Sequence, residues 1–142
     1  MHDISNLEKE EKLIEFLSHI FLNFCDTDAH KCENTKNSKI AKKIKEYLKN
    51  NIENDILLQD IADYMELSTI HMLRVFKKEY GLPIHSYILN EKVHLAKELL
   101  SRNIPISEVA QMSGFFDQSH LNKSFKRVFQ LTPKEYQNNI SS

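Results

Sequence analysis

The fold is decided by the stretch VAQMSGFFDQSHLNKSFKRVFQLTPKEYQ, residues 109–137. It starts with a short apolar segment around Ala110, where a small side chain lets a following helix cross closely at a steep angle. Ser113-Gly114 then supplies a tight turn, and Asp117 is placed to cap a longer segment with apolar residues at helical spacing. A short helix, a tight turn and a second helix together predict a helix-turn-helix unit.

The same pattern occurs a second time, in IADYMELSTIHMLRVFKKEYGLPIHSY at residues 61–87. Ala62 matches Ala110 at an offset of 48, whereas the later residues match at an offset of 49. The one-residue difference falls in the turn, where an insertion is easiest to absorb. Glu66 stands where Gly114 stands, so the first turn must accommodate a less permissive residue. The other matched residues are Ile61, Met72, Phe76, Lys77, Lys78, Leu82 and Tyr87 in the first copy and Val109, Leu121, Phe125, Lys126, Arg127, Leu131 and Tyr136 in the second.

In a helix-turn-helix unit the second helix buries one face and presents the other to the major groove of DNA. Residues 118–129 divide in this way, because their apolar and polar side chains lie on different faces. Glutamine and asparagine favour adenine edges and lysine favours guanine, whereas Lys126 and Arg127 lie farther along, within reach of phosphates. The predicted buried residues are Leu121, Phe125, Val128 and Phe129, and the predicted base readers are Gln118, Ser119, Asn122 and Lys123.

Residues 69–80 divide similarly, and Arg74 is the expected guanine reader of this copy. Ile70 and Leu73 are predicted to face outward as well, where apolar side chains suit contact with thymine methyl groups. Thr69 and Lys77 complete the outward face. The predicted buried residues are Met72, Val75, Phe76 and Tyr80.

Helical periodicity covers most of the chain, and two Gly and three Pro among 142 residues argue against a turn-rich β fold. Residues 5–24 predict an amphipathic helix, and the polar stretch 26–38 predicts a linker. Ser68 is expected to cap a helix N-terminus, and Gly81 to follow a helix C-terminus. Further helices are predicted at 40–52, 57–65, 69–80, 84–101, 106–112 and 118–129, with a last turn at 133–139.

The formal net charge of −1 permits DNA binding without demonstrating it, because the distribution of charge matters more than its sum. Residues 1–38 hold four Lys and eight Asp or Glu, whereas the remainder has a balance of +3. No apolar run approaches the roughly 18 residues of a membrane span. The acidic start does not suit a signal peptide, so we expect a cytoplasmic protein without a membrane partner.

No Gly-rich phosphate loop or nucleophile–base pair points to an enzyme, and we expect no cofactor. Cys25 and Cys32, with His30 between them, lack a standard zinc spacing and are predicted to be free thiols. A helical adaptor for protein interactions, without intrinsic DNA specificity, is the alternative function. The histidines predicted to be surface or groove residues are His71, His85, His94 and His120.

Residues 40–137 resemble the AraC/XylS family of transcription regulators. Residues 109–137 match its alanine, Gly-Phe, Gln-Ser, Phe-Lys-Arg and Thr-Pro-x-x-Tyr signature, and residues 67–88 match its Leu-Ser, Leu-x-Arg-x-Phe-Lys-Lys and Gly-Leu pattern. The resemblance implies an all-α, homeodomain-like domain of about seven helices, with two helix-turn-helix subdomains joined by the long helix at 84–101. It also implies a sequence-specific regulator, expected to be an activator, that inserts two recognition helices, 69–80 and 118–129, into successive major-groove segments.

The resemblance also implies binding sites and partners. Residues 1–38 do not match the DNA-binding part, which places the DNA-binding domain at 39–142, and the helix at 5–24 looks like the helical end of a sensor and dimerisation domain. The expected partners are double-stranded promoter DNA and RNA polymerase. The apolar stripe of residues 5–24 separately predicts a second copy of the chain as a partner, bound through that helix. Packing of that helix on its own DNA-binding domain is the alternative. The implied base contacts are Ile70, Leu73, Arg74, Gln118, Ser119, Asn122 and Lys123. The predicted phosphate contacts are Ser68, Lys77, Lys78, Lys126 and Arg127.

Overall fold

The computed structural model describes the backbone of residues 4–22 and 33–142 and the side chains of residues 7–17 and 35–142. Within these ranges the chain forms helices and no strand, which confirms the all-α prediction. None of the described helices combines the length and the apolar character needed to cross a membrane. The helices are α1 (Ile4–Leu22), α2 (Glu33–Asn50), α3 (Leu58–Tyr64), α4 (Thr69–Tyr80), α5 (Ile84–Ser101), α6 (Ile106–Met112), α7 (Gln118–Phe129) and α8 (Pro133–Ile140).

Helices α4 to α7 begin and end at the predicted residues, and side-chain caps fix the starts of α4 and α7. Ser68 Oγ accepts a hydrogen bond of 3.2 Å from the backbone N–H of His71. Asp117 Oδ1 accepts one of 2.7 Å from His120 N–H. Gly81 ends α4 with φ at +74°, in the left-handed region that favours glycine.

The start of α2 differs from the prediction. The helix begins at Glu33, so the linker prediction is wrong for residues 33–38, while residues 26–32 lie outside the described part of the chain. A helical turn of polar residues shows no apolar period, and pattern reading therefore misses it. Ser38 Oγ fastens this segment by donating to Glu79 Oε1 at 2.9 Å.

The chain divides into two compact units. The first contains the described residues up to Asn51 together with Ile56–Tyr87, and the second contains Ile52–Asp55 and Ile88–Ser142. Helix α1 therefore belongs to the unit of α2, α3 and α4, and the domain division expected at residue 38 stays a prediction. Each unit has its own buried core. The main core residues of the first unit are Ile44, Leu48, Leu58, Ile61, Met72 and Phe76, and those of the second are Val93, Leu100, Val109, Leu121 and Phe125.

The turn between the two helices is built alike in both units. Leu67 N–H donates to Ala62 O, and Phe115 N–H donates to Ala110 O, each at 2.9 Å. Both alanines are buried, as close crossing of the two helices requires. Glu66 adopts φ +55° where Gly114 adopts +74°, so the first turn holds a non-glycine residue in the left-handed region.

The two copies differ in length immediately after this turn. Leu67 is followed directly by the N-cap Ser68, whereas Phe116 stands between Phe115 and the N-cap Asp117. Phe116 is the inserted residue that the change of offset predicts, and 61% of it is exposed. An insertion at this place leaves the packed helices on either side unaltered.

Helix α1 is fastened to the first unit by a buried carboxylate. Glu11 is 1% exposed, and it accepts hydrogen bonds from the backbone N–H groups of Ile84 (2.7 Å) and His85 (2.8 Å). These donors lie at the N-terminus of α5, where they have no partner within the helix and carry partial positive charge. Two packing partners were predicted for the N-terminal helix, and the structure shows the one within the chain itself, at the start of α5.

The prediction that His85 is a surface residue is wrong. Its Nδ1 lies 2.6 Å from Glu11 Oε2, its Nε2 lies 3.9 Å from Glu8 Oε1, and only 12% of its side chain is exposed. A carboxylate from a distant helix accounts for this burial, and spacing along the sequence cannot reveal such a partner.

The left-handed residues give a test of the turn geometry. Glu66→Gly and Gln130→Gly (φ +62°) should each raise the free energy of unfolding by up to about 1 kcal/mol. The left-handed strain of about 1–2 kcal/mol exceeds the cost of glycine flexibility, about 0.5–1 kcal/mol. Urea unfolding measures the change, with Lys42→Gly at an exposed position in the interior of α2 as a control that should lower stability. A loss of stability in both variants would contradict the argument.

Candidate nucleic-acid interface

Helix α4 starts at its N-cap Ser68, buries one face and presents a basic surface on the other. Arg74, Lys77 and Lys78 are exposed, and Ile70 is half-buried close to the start of the helix. The opposite face is buried as predicted, through Met72, Val75 and Phe76, while Tyr80 is half-buried.

The prediction that Leu73 belongs to the DNA-facing surface of α4 is wrong. Leu73 is 4% exposed, so it does not face outward and is not available to a base edge. At roughly 100° per residue it lies between the buried and the exposed faces of the helix, and a simple division of the helix into two faces misassigns such a residue.

Helix α7 presents the corresponding surface of the second unit. Leu121 and Phe125 are buried as predicted, whereas Val128 and Phe129 are only half-buried. Lys97 Nζ lies 4.8 Å from the centre of the Phe129 ring and helps to cover it. The predicted DNA-facing residues are exposed at Gln118, Ser119, Lys123, Lys126 and Arg127 and half-buried at Asn122.

The two recognition helices correspond position by position at an offset of 49. Arg74 corresponds to Lys123, and the pair Lys77 and Lys78 corresponds to Lys126 and Arg127. Each helix therefore places one basic residue near its middle and two in its last turn. This arrangement suits a helix whose middle contacts base edges and whose last turn contacts phosphates.

Lys92 supports the second turn, a role that sequence reasoning missed. Its Nζ donates to Gly114 O at 2.7 Å, and the residue is 4% exposed. Burial lowers the pKa of the Lys92 ammonium, and the charge of Asp55 partly opposes this effect.

A capping box stabilises α8, which follows recognition helix α7. Glu135 Oε2 accepts from the backbone N–H of Thr132 at 2.7 Å and from its hydroxyl at 2.9 Å. These hydrogen bonds lower the pKa of the Glu135 carboxyl. The signal was present in the sequence as Thr-Pro-Lys-Glu, which has the spacing of a capping box.

Metal chemistry receives no support from the described residues. They contain no group of three or more His, Cys, Asp or Glu side chains able to hold a metal ion. Cys25, His30 and Cys32 lie outside them, and the prediction of free thiols therefore stays a prediction.

A family model described as a helix-turn-helix domain matches residues 61–139, which is more than half of the chain. The chain belongs to the AraC family of transcription regulators. It carries the DNA-binding domain of such a regulator, and the family is one of DNA-binding regulators rather than enzymes.

Other regulators are similar over the same region. LumQ of Photobacterium leiognathi, a probable transcriptional regulator, is 30% identical over 95 residues, which cover 66% of this chain and 38% of LumQ. The multiple antibiotic resistance protein MarA of Escherichia coli is 32% identical over 94 residues, which cover 66% of this chain and 74% of MarA. The matched region thus spans most of MarA but less than half of LumQ.

The fold is also that of solved DNA-binding domains. The DNA-binding domain of the transcriptional factor AdpA, solved in complex with a target DNA, has a TM-score of 0.66 and 19% identity. The match covers 70% of this chain and 90% of that domain. At this identity the likeness shows that this AraC-family chain shares the fold.

The unlike N-caps allow a test of contact with phosphate. The Ser68 hydroxyl can donate to a phosphate while its oxygen accepts from His71 N–H, whereas the Asp117 carboxylate only accepts. Ser68→Asp keeps an effective N-cap. It should nevertheless lower DNA affinity by about tenfold or more, because a hydrogen bond to a charged group, worth about 1.5–3 kcal/mol, becomes a repulsion.

Fluorescence anisotropy measures the affinity, and thermal unfolding checks that the cap is retained. Asp117→Ser is the matched control, since it should leave stability nearly unchanged and strengthen DNA binding. Wild-type affinity in Ser68→Asp would remove Ser68 from the set of phosphate contacts.

Proposed function

We propose that this AraC-family chain reads a specific double-stranded DNA site by placing α4 and α7 in major-groove segments. The observation that carries the proposal is the matched pair of capped helices, each with an exposed basic residue near its middle and two more in its last turn. The family relationship supports the same role. The adaptor alternative has no comparable observation in its favour.

The proposed base readers lie in the N-terminal half of each helix, the part that meets base edges in helix-turn-helix proteins. Arg74 and Lys123, at matched positions, suit guanine. Leu73 is withdrawn from the set because it is buried. The remaining proposed readers are Ile70, Gln118, Ser119 and Asn122.

The proposed phosphate contacts lie at the ends of the same helices. Exposed lysine and arginine side chains can reach the DNA backbone on leaving the groove, where they strengthen binding without reading sequence. The lysines and the arginine are Lys77, Lys78, Lys126 and Arg127, and the N-cap Ser68 is the proposed contact at the start of α4.

Selection of bound duplexes from a random pool tests the proposal directly, and variants then separate the two classes of contact. Arg74→Ala and Lys123→Ala should each cost about 1–3 kcal/mol on the selected site and relax preference at one base pair. Lys126→Ala and Arg127→Ala should instead weaken binding to all sequences and reduce the salt slope by about one unit each. The first pair is misassigned if its losses are equal on selected and random DNA.

The selected site should contain two unlike half-sites, because the exposed side chains of the two recognition helices differ. Ile70 and Arg74 in α4 stand where α7 has Ser119 and Lys123. A palindromic consensus from the same selection would mean that one helix of each of two copies reads the DNA.

Two protein partners are also proposed. The exposed apolar side chains Leu13, Phe16 and Leu17 lie on the face of α1 turned away from buried Leu7 and Glu11, and they favour contact with a second copy. RNA polymerase is the proposed partner in activation, and transcription from the selected site with and without the chain tests that role.

Self-association of the full chain is measured by sedimentation. Phe16→Ser combined with Leu13→Ser should convert a dimer to monomers, because it removes the apolar surface while keeping Glu11 and the docked helix. Met112→Ser, which changes an exposed apolar residue of the second unit, is the control. A monomeric wild-type chain at high micromolar concentration would rule out this dimer.

A further inference from the structure

One flank of the first recognition helix carries α1. Lys77 Nζ lies 3.1 Å from Glu15 Oε1 of α1, and Leu73, one turn earlier on α4, is buried. At roughly 100° per residue these two α4 residues are about 40° apart around the helix axis. The negative charge of Glu15 therefore lies beside the proposed DNA-facing surface of α4.

The second unit differs at the same positions. Asn122 stands where α4 has Leu73, and it is polar and half-buried rather than apolar and buried. Lys126 stands where α4 has Lys77, and it is exposed. Leucine in place of asparagine makes this position of α4 suited to packing rather than to contact with a base edge.

Glu15 is held beside Lys77 by contacts that do not involve DNA-facing residues. Glu11, one turn earlier on α1, is fixed by the N–H groups of Ile84 and His85 at the start of α5. Residues four apart lie on the same side of a helix, so this attachment turns Glu15 toward α4. The pair of Glu15 and Lys77 is therefore positioned by the fold rather than by the attraction of two free side chains.

We propose that α1 is an autoinhibitory helix whose Glu15 competes with a DNA phosphate for Lys77. The inference rests on the proposed function, in which Lys77 contacts the DNA backbone. The Glu15 carboxylate neutralises the charge of the Lys77 ammonium, occupies one of its donors and repels an incoming phosphate, so the phosphate binds more weakly while this pair is formed. The docked helix weakens DNA binding by the first unit, and displacement of α1 strengthens it.

The proposed competition also acts in the reverse direction. Two binding events that oppose each other do so by the same factor in both directions. DNA binding therefore loosens the docking of α1, and any partner that draws α1 away raises DNA affinity. The apolar outer face of α1 provides a surface by which such a partner can act on α4.

The test is a double-mutant cycle in the full chain, with Kd measured by fluorescence anisotropy. The probes are a duplex selected by the chain from a random pool and a shuffled duplex of the same composition. Glu15→Gln removes the competing charge, and Glu10→Gln removes one negative charge from an exposed position on the same helix that has no salt bridge to the described residues. Each variant is also made in the Lys77→Ala background.

Glu15→Gln should bind both duplexes about two- to fivefold more tightly than wild type, since an exposed ion pair is worth up to about that factor. Glu10→Gln should gain less, and the gain from Glu15→Gln should vanish when Lys77 is alanine. Equal gains in the two glutamine variants, a gain that survives Lys77→Ala, or weaker binding by Glu15→Gln would each overturn the proposal. Failure of the wild-type chain to select any duplex would instead overturn the proposed function.

Discussion

The orientation of both recognition helices depends on one short reversal of the chain. In each unit an N–H group beyond the turn donates to the carbonyl of a buried alanine, across a residue in the left-handed region. The alanine permits the close crossing, and the left-handed residue allows the chain to turn before the next helix is capped. Lys92 adds a second constraint to one of these turns, because its ammonium binds the carbonyl of Gly114.

Much of this architecture could be predicted because it is encoded locally. Serine and aspartate caps, glycine after a helix and apolar spacing each act within a few residues, and they fixed both ends of α4 and α7. The Thr132–Glu135 capping box is equally local and could have been read in the same way. The predictions were wrong where the folded chain decides: Leu73 is buried, and His85 is largely enclosed beside Glu11 of α1, a partner that no spacing within α5 encodes.

The identities of the base readers could be predicted in part, for a related reason. An amphipathic helix reveals which residues lie opposite its apolar stripe, so the exposure of Arg74, Gln118 and Lys123 follows from sequence. It does not reveal what else lies on that surface. The carboxylate of Glu15 beside Lys77 comes from a helix more than sixty residues away, and only the folded chain brings the two together.

The residue inserted at Phe116 changes how the two copies must be aligned. Counted from the alanine of the first helix, Arg74 is the twelfth residue along, whereas Lys123 is the thirteenth. Counted from the N-caps Ser68 and Asp117, each is the sixth. An assignment of base contacts made for one recognition helix therefore applies to the other only when residues are counted from the N-cap. An alignment anchored on the alanines would assign every base contact of the second helix to its neighbour.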